Sequence, residues 1–244
     1  MQNWYKDWFE SPNYLYVYNH RDDSDAKRLS ELILSVTNLP ESSKILDAAC
    51  GSGRHAIYLS LKGYKVFGFD LSKNLLGKAY ENSVFQNVKL NLIQADIREI
   101  CFKTGFDLIL NLFTSFGYFE NDDENFSFIR RAVNFLKENG YYVMDYFNKY
   151  YLEKNLVPQS EKIINNLRVI EKRKIVNDRV IKEITISSNN SIEKYFESVK
   201  LYDVNTIIDE FLKAGYKFDK IFGDYDGNEF HENLSPRLIL FFRK

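Results

Sequence analysis

The chain has 244 residues, enough to bury a sizeable core as one domain with an elaboration. Its 33 basic and 34 acidic residues leave a formal net charge of −1, without the basic excess of a nucleic-acid binder, and its two cysteines, Cys50 and Cys101, cannot build a disulfide framework. With no apolar run near 18 residues and no charged segment leading into an apolar one at the start, the composition points to a soluble cytoplasmic protein, monomer or homodimer, with no membrane partner.

Residues 1–23 carry Trp4, Tyr5, Trp8, Phe9, Tyr14, Tyr16 and Tyr18, too dense an aromatic run for a disordered tail, so this segment is expected to dock as a cap. From 25 to 36, Leu29, Leu32, Ile33 and Val36 recur at helical spacing. A buried strand follows at 44–47, a tight turn at Gly51-Ser52-Gly53 and a helix at 54–61 that Gly63 ends. The alternation continues with a strand at 64–69, a helix at 72–85, strands at 88–93 and 106–112, a helix at 122–137 and a strand at 140–146. Such alternation means right-handed crossovers and a parallel sheet. Residues 162–176, 179–188 and 192–201 are rich in β-branched residues, with polar breaks at Asn177-Asp178 and Asn189-Asn190-Ser191, and read as three antiparallel strands. A helix at 204–213 and strands at 216–222 and 237–242 complete the chain. The expected class is α/β: a doubly wound, mostly parallel seven-stranded sheet with an inserted small antiparallel sheet. Residues 24–150 and 202–244 form its core, and 151–201 the insertion.

The central motif is Asp47-Ala48-Ala49-Cys50-Gly51-Ser52-Gly53 between a strand and a helix. Glycines let backbone approach a ligand, and the helix that follows offers free N–H groups to an anion. Asp70 ends the next strand, 17 residues after Gly53, where doubly wound folds face the ribose of an adenosine-containing cofactor. Asp96 follows the third strand, where a carboxylate can accept from an adenine amino group. Three acids at three successive strand ends converge on one crevice. Gly51-Ser52-Gly53-Arg54-His55-Ala56 also satisfies the dinucleotide fingerprint, and Tyr150 and Lys154 have dehydrogenase-like spacing, so an NAD(P)-dependent oxidoreductase is an alternative. That fingerprint does not call for an acid at Asp47.

These residues, with Arg54-His55, Gly68-Phe69-Asp70-Leu71-Ser72, Ala95-Asp96-Ile97, the block Asn111-Leu112-Phe113-Thr114-Ser115-Phe116-Gly117-Tyr118-Phe119 and Ser235-Pro236-Arg237-Leu238, resemble the class I S-adenosylmethionine-dependent methyltransferases. They resemble more narrowly a bacterial and archaeal subgroup with a Cys-Gly-x-Gly-Arg-His first motif and a small antiparallel insertion. Ala49 departs from the class, which usually has its first glycine there; tighter packing is expected. The resemblance implies S-adenosylmethionine as cofactor, with S-adenosylhomocysteine as product. The residues expected to hold it are Asp47, Ala49, Cys50, Gly51, Gly53, Arg54, Asp70, Leu71, Asp96, Ile97, Leu112, Phe113 and, from the end of the cap, Arg21 beside His20. No metal site is indicated, because the three histidines lie far apart and neither cysteine has a partner at ligand spacing.

Methyl transfer from a sulfonium is an in-line displacement that needs mainly orientation and exclusion of water. Acceptor groups must lie at the carboxyl ends of strands. That selects 113–119, Asp145-Tyr146-Phe147-Asn148 and 224–237. Tyr118, Tyr146 and Tyr225 are candidates for the acceptor pocket, Asn148 for a polar contact, and His231, Tyr118 and Tyr146 for catalytic roles, His231 as a base. Arg237 could bind an anionic acceptor or, the favoured reading, anchor its loop to Asp224, Asp226 or Glu229. A small-molecule N- or O-nucleophile is the preferred acceptor. RNA or protein is the alternative, carried by the basic residues of the insertion, and a non-enzymatic cofactor-binding scaffold is disfavoured by the intact acid and glycine set.

Overall fold

The computed structural model of the protein describes residues 3–18, 23–103, 105–188 and 191–244. The chain opens with α1 (Trp4–Glu10), α2 (Asn13–Val17) and α3 (Asp23–Thr37), followed by β1 (Lys44–Ala48), α4 (Arg54–Leu61), β2 (Lys65–Asp70), α5 (Lys73–Phe85) and β3 (Asn91–Gln94). Next come β4 (Phe106–Asn111), α6 (Asp122–Ala132), β5 (Leu136–Phe147) and α7 (Lys149–Asn155). The strands β6 (Gln159–Ile164), β7 (Leu167–Val176), β8 (Arg179–Ser187) and β9 (Ile192–Lys200) precede α8 (Val204–Lys213), β10 (Lys217–Phe222) and β11 (Arg237–Arg243).

The main sheet has the order β10-β11-β5-β4-β1-β2-β3. The first five strands run parallel, and β11 enters antiparallel between β5 and β10. Successive residues of the central strands serve opposite faces. Ile45, Leu108, Val143 and Ile239 pack with Leu29 and Ile33 of α3 and Ala56 and Leu59 of α4, while Leu46, Ile109, Tyr142 and Leu240 pack with Phe126 and Ile129 of α6 and Ile207 and Phe211 of α8. With helices on both faces, β1 and β4 are apolar almost without alternation, as parallel strands must be.

The second sheet, β6-β7-β8-β9, has four strands where three are expected from the sequence. The stretch 162–176 breaks at Asn165 and Asn166, both left-handed at φ 49° and 65°. Asn177 and Asp178 repeat the device at φ 51° and 55°. Two consecutive positive φ values make the tight hairpin whose twist matches the flanking strands, and asparagine tolerates them. A further helix, α7, lies in 149–155, its first turn capped by the Asn148 side chain, which accepts from Tyr150 N at 3.2 Å. In the core, α6 stops at Ala132 rather than near 137, and Leu136 already belongs to β5, opposite Phe106.

The aromatic segment folds as α1 and α2 and bridges the two sheets. Trp4, Tyr5, Trp8, Val17 and Tyr18 are buried against Val169, Ile184 and Ile186 of the insertion and against Leu71, Tyr118 and Phe119 of the core. A fully buried tryptophan such as Trp8 removes about 200 Å² from water, worth about 5 kcal/mol before entropy is charged. Polar contacts fix the position: Ser72 Oγ donates to Phe9 O at 2.8 Å, and Glu10 accepts from the backbone of Lys73 and Asn74 at the start of α5. His20 and Arg21 lie outside the described residues.

Candidate active site

Beyond the carboxyl ends of β1, β2 and β4, and beneath α1 and α2, lies a cavity of about 440 Å³. The glycine turn makes its floor. Ala49, Gly51 and Gly53 are all left-handed, at φ 57°, 54° and 79°. Glycine adopts this conformation freely, but alanine there costs about 1 kcal/mol, so the departure at Ala49 is one of backbone strain rather than tighter packing. Gly53 stands behind the wall. A Cβ on it would meet Ala79 Cβ at 3.0 Å, so the glycine lets α4 start close against α5.

Two acids stand at this floor. Asp70 accepts from Gly51 N at 2.8 Å and Ser72 N at 2.9 Å; burial raises its pKa, against the pull of those bonds. Asp47 is 3% exposed and its Oδ2 has no hydrogen-bond partner among the described residues. Burial, reinforced by the charge of Asp70, pushes its pKa up to about 7. Next to them His55 is buried, with Nδ1 3.2 Å from Ser30 Oγ and Nε2 unpartnered among the described residues. Burial, helped by Arg54, pushes its pKa down to about 3, so it is neutral at physiological pH. Burial likewise pushes the Cys50 thiol up and keeps it protonated. At the third strand, Asp96 is held by Arg98 through bonds of 2.7–3.3 Å, and these outweigh burial to keep its pKa low. Arg98 also reaches Glu124 at 2.9 Å and lies 4.6 Å over the Phe119 ring.

Opposite the floor, the loop after β4 is bent by Phe113 and Thr114, both left-handed at φ 54° and 62°. The fully buried Asp145 stabilises that bend. Its carboxylate accepts from Phe113 N at 3.0 Å, its carbonyl from Thr114 N at 3.0 Å, and its remaining capacity goes to Tyr225 OH at 3.1 Å and Arg237 at 2.6–2.7 Å. Arg237 completes the network through Thr114 Oγ1 at 2.9 Å. Further along the loop, Arg179 of β8 donates to the carbonyls of Gly117, Tyr118 and Phe119 at 3.1–3.2 Å and to Ser198 at 2.8–2.9 Å.

Of the expected cofactor residues, Asp47, Ala49, Cys50, Gly51, Arg54, Asp70, Leu71, Asp96, Ile97, Leu112 and Phe113 stand on the cavity wall, as do Tyr118, Tyr225 and Arg237 of the acceptor set. Three of the acceptor and catalytic candidates do not. Tyr146 is fully buried beneath Phe116 and donates its hydroxyl to Lys200 O, pinning the insertion to the core; burial pushes its pKa up. Asn148 is buried and spends its amide on Glu232 O and Ser235 O, each at 2.7 Å. His231 is exposed and off the wall, with its backbone N–H donated to Ser235 Oγ. Arg237 anchors its loop to Asp145, not to Asp224, Asp226 or Glu229; Asp224 caps its own turn through Asp226 N and Asn228 N, and Asp226 pairs with Arg28. Tyr150 and Lys154 sit on α7, away from the cavity, with Lys154 bonded to Asn233. The sequence marks Trp4 and Tyr14 only as part of the cap and Asp145 only within a candidate segment; it does not single out Glu197 on the wall or the role of Arg179 behind it.

Residues 45–140 match the family model of a methyltransferase domain. The putative methyltransferase YqeM of Bacillus subtilis is 33% identical over 109 residues, so the match spans 44% of this chain and 44% of that relative. An S-adenosylmethionine-dependent methyltransferase from Clostridium acetobutylicum superposes with a TM-score of 0.81 at 21% identity, covering 90% of this chain and 92% of the other. The sugar N-methyltransferase KedS8 from Streptoalloteichus superposes at 0.74 and 18% identity, covering 96% and 92%. Residues 45–140 therefore match a methyltransferase domain, and over nine-tenths of its length the chain has the fold of the S-adenosylmethionine-dependent methyltransferases.

Proposed function

We propose that the protein transfers a methyl group from S-adenosylmethionine to the nitrogen of a small-molecule amine. The observation that carries this is the unpartnered Asp47 Oδ2, buried in the cavity beside Asp70 on a floor of left-handed turn residues. A buried carboxylate oxygen with no donor lacks what a bound ammonium group would give it. Asp47 and the turn would hold the methionine end of the cofactor, Asp70 the ribose, and the wall formed by Asp96, Ile97 and Phe119 the adenine. When bound, this cofactor supplies a methyl group on a cationic sulfur, already activated for transfer.

What remains for the chain is to orient the acceptor and exclude water. The cap closes the cavity, and the Asp145–Arg237 network fixes the bent loop that carries Phe113. Nitrogen is favoured because a neutral amine needs no base. The histidine on the wall, His55, is a poor base at pKa about 3, and the other described histidine, His231, lies outside. The sugar N-methyltransferase among the structural neighbours supports the same choice. Several of the insertion's cations are engaged within the protein: Arg168 with Glu161, Arg173 with Glu171, Lys182 with Glu197, and Arg179 with loop carbonyls. This favours a small molecule over RNA.

Calorimetric titration with S-adenosylhomocysteine and, separately, NADH tests the proposal. Micromolar binding of the first is expected, weakened roughly 100-fold in Asp70→Ala by loss of two hydrogen bonds to a charged group. Transfer of labelled methyl to amines, but not to matched phenols or acids, completes it. Binding of NADH alone overturns it.

A further inference from the structure

The cavity runs from the glycine-turn floor up to the cap. Its far end, between the cap and the insertion, is walled by the rings of Trp4, Phe9, Tyr14, Tyr18 and Tyr118. These rings pack edge-on or tilted, with neighbouring centroids 4.9–5.7 Å apart. Among the described residues, the Glu197 carboxylate shares that wall, reaching it from β9. Trp8 Nε1 at 2.8 Å and the hydroxyl of Tyr18 donate to Glu197, and Lys182, which is not on the wall, pairs with it from behind at 2.9 Å. Lys182 also donates to Tyr18 OH at 2.7 Å and lies 4.9 Å over that ring, which leaves Trp4, Phe9, Tyr14 and Tyr118 to meet a ligand; of the ion pair, Glu197 and not Lys182 stands on the cavity wall. Trp4 Nε1 is buried without a partner among the described residues.

We infer that this end of the cavity binds a methylated ammonium group with an oxygen beside it, so that the acceptor is an amino alcohol or amino sugar carried through to an N,N-dimethylated or more highly methylated product. This rests on the methyl-transfer proposal above. Aromatic rings attract a cation through their quadrupoles, and Glu197, although paired with Lys182, turns a carboxylate toward them. Rings discriminate by hydration: a primary ammonium has three donors that want oxygen partners, whereas N-methyl groups have none, so the methylated cation leaves water at lower cost. The orphaned Trp4 donor supplies the partner for the neighbouring oxygen. In each transfer the neutral amine's lone pair forms the new N–C bond, the C–S bond breaks with its electron pair left on sulfur, and the ammonium so formed loses its proton to water before the next round. Each added methyl group makes the cation a better fit to this wall.

The chain's two tryptophans both lie in α1, Trp4 on the wall and Trp8 on Glu197, so intrinsic fluorescence reports on the cap that walls this end of the cavity. The test titrates the full chain with choline and with 3,3-dimethylbutan-1-ol, which keeps choline's shape and hydroxyl but lacks its charge. Both titrations are run with and without S-adenosylhomocysteine. A saturable change with choline is expected, roughly tenfold tighter than with the neutral alcohol. Glu197→Gln and Tyr118→Leu should each weaken choline severalfold while S-adenosylhomocysteine still binds. Equal affinity for the two probes, or a linear, non-saturating response to choline, overturns the inference, and the wild-type comparison decides it even if a variant fails to fold. Failure of S-adenosylhomocysteine to bind counts against the methyl-transfer proposal instead.

Discussion

Burial acts on Asp47 and His55 in opposite senses. The Asp47 carboxyl rises from 3.8 to about 7, so between those values the folded chain keeps a proton that the unfolded chain has lost, and stability falls as pH rises. His55 drops from 6.5 to about 3, so over that range the unfolded chain holds the extra proton, and stability rises with pH. Each contributes a slope of about 1.4 kcal/mol per pH unit, and between pH 4 and 6.5 the two cancel. Asp70, also raised by burial, adds to the side of Asp47. Urea unfolding of Asp47→Asn should therefore gain stability, relative to wild type, from pH 4.5 to 6.5, and His55→Gln should lose it. Two variants with the wild-type profile would show that neither group is held as described. Much of this floor is legible in the sequence, because an acid at a strand end and a glycine turn are defined within a few residues of each other. Asp145 is not: it lies in a segment that can be marked as a candidate, yet its partners Phe113 and Arg237 are 32 and 92 residues away, and no local spacing selects it over Asp224.

At the scale of elements, the loop 112–119 is held from two sides, by β5 through Asp145 and by β8 through Arg179. Arg179 is half-buried and its bonds run to Ser198 and to three consecutive carbonyls of the core loop after β4. Arg179→Met should cost about 3 kcal/mol, since a partly buried network of charge-assisted bonds is lost at once. It should also speed hydrogen exchange at Lys200 N, which bonds Gly117 O at 2.8 Å. An unchanged exchange rate would mean that the strand contact, not the arginine, fixes the loop. The parallel core can be read from sequence because each strand and helix carries its own periodicity. The insertion is harder. Its strands pair side by side in a meander, so continuous β-branched runs hide the turns, and Asn165-Asn166 signals a hairpin only through a conformation that asparagine adopts without glycine's help. Arg179 and Glu197 sit inside strands, where their spacing resembles that of any solvated face.

For the whole molecule, cap, core and insertion meet over one cavity, and Ser72 joins two of these contacts in a single residue. Its N–H is committed to Asp70, while its hydroxyl donates to Phe9 O in the cap and accepts from Leu75 N in α5. Whatever steadies Asp70 therefore steadies the seat of the cap, and the converse holds. Such coupling is reciprocal: the factor by which a ligand at Asp70 tightens the closed cap equals the factor by which the closed cap tightens that ligand. Acrylamide quenching of Trp4 and Trp8 should fall when S-adenosylhomocysteine binds, and Ser72→Ala should reduce both that protection and the affinity. Loss of one without the other would break the linkage. If it holds, donor and acceptor cannot load independently: the first to arrive pre-forms the chamber for the second, and release of the methylated product is tied to the exchange of spent donor for fresh.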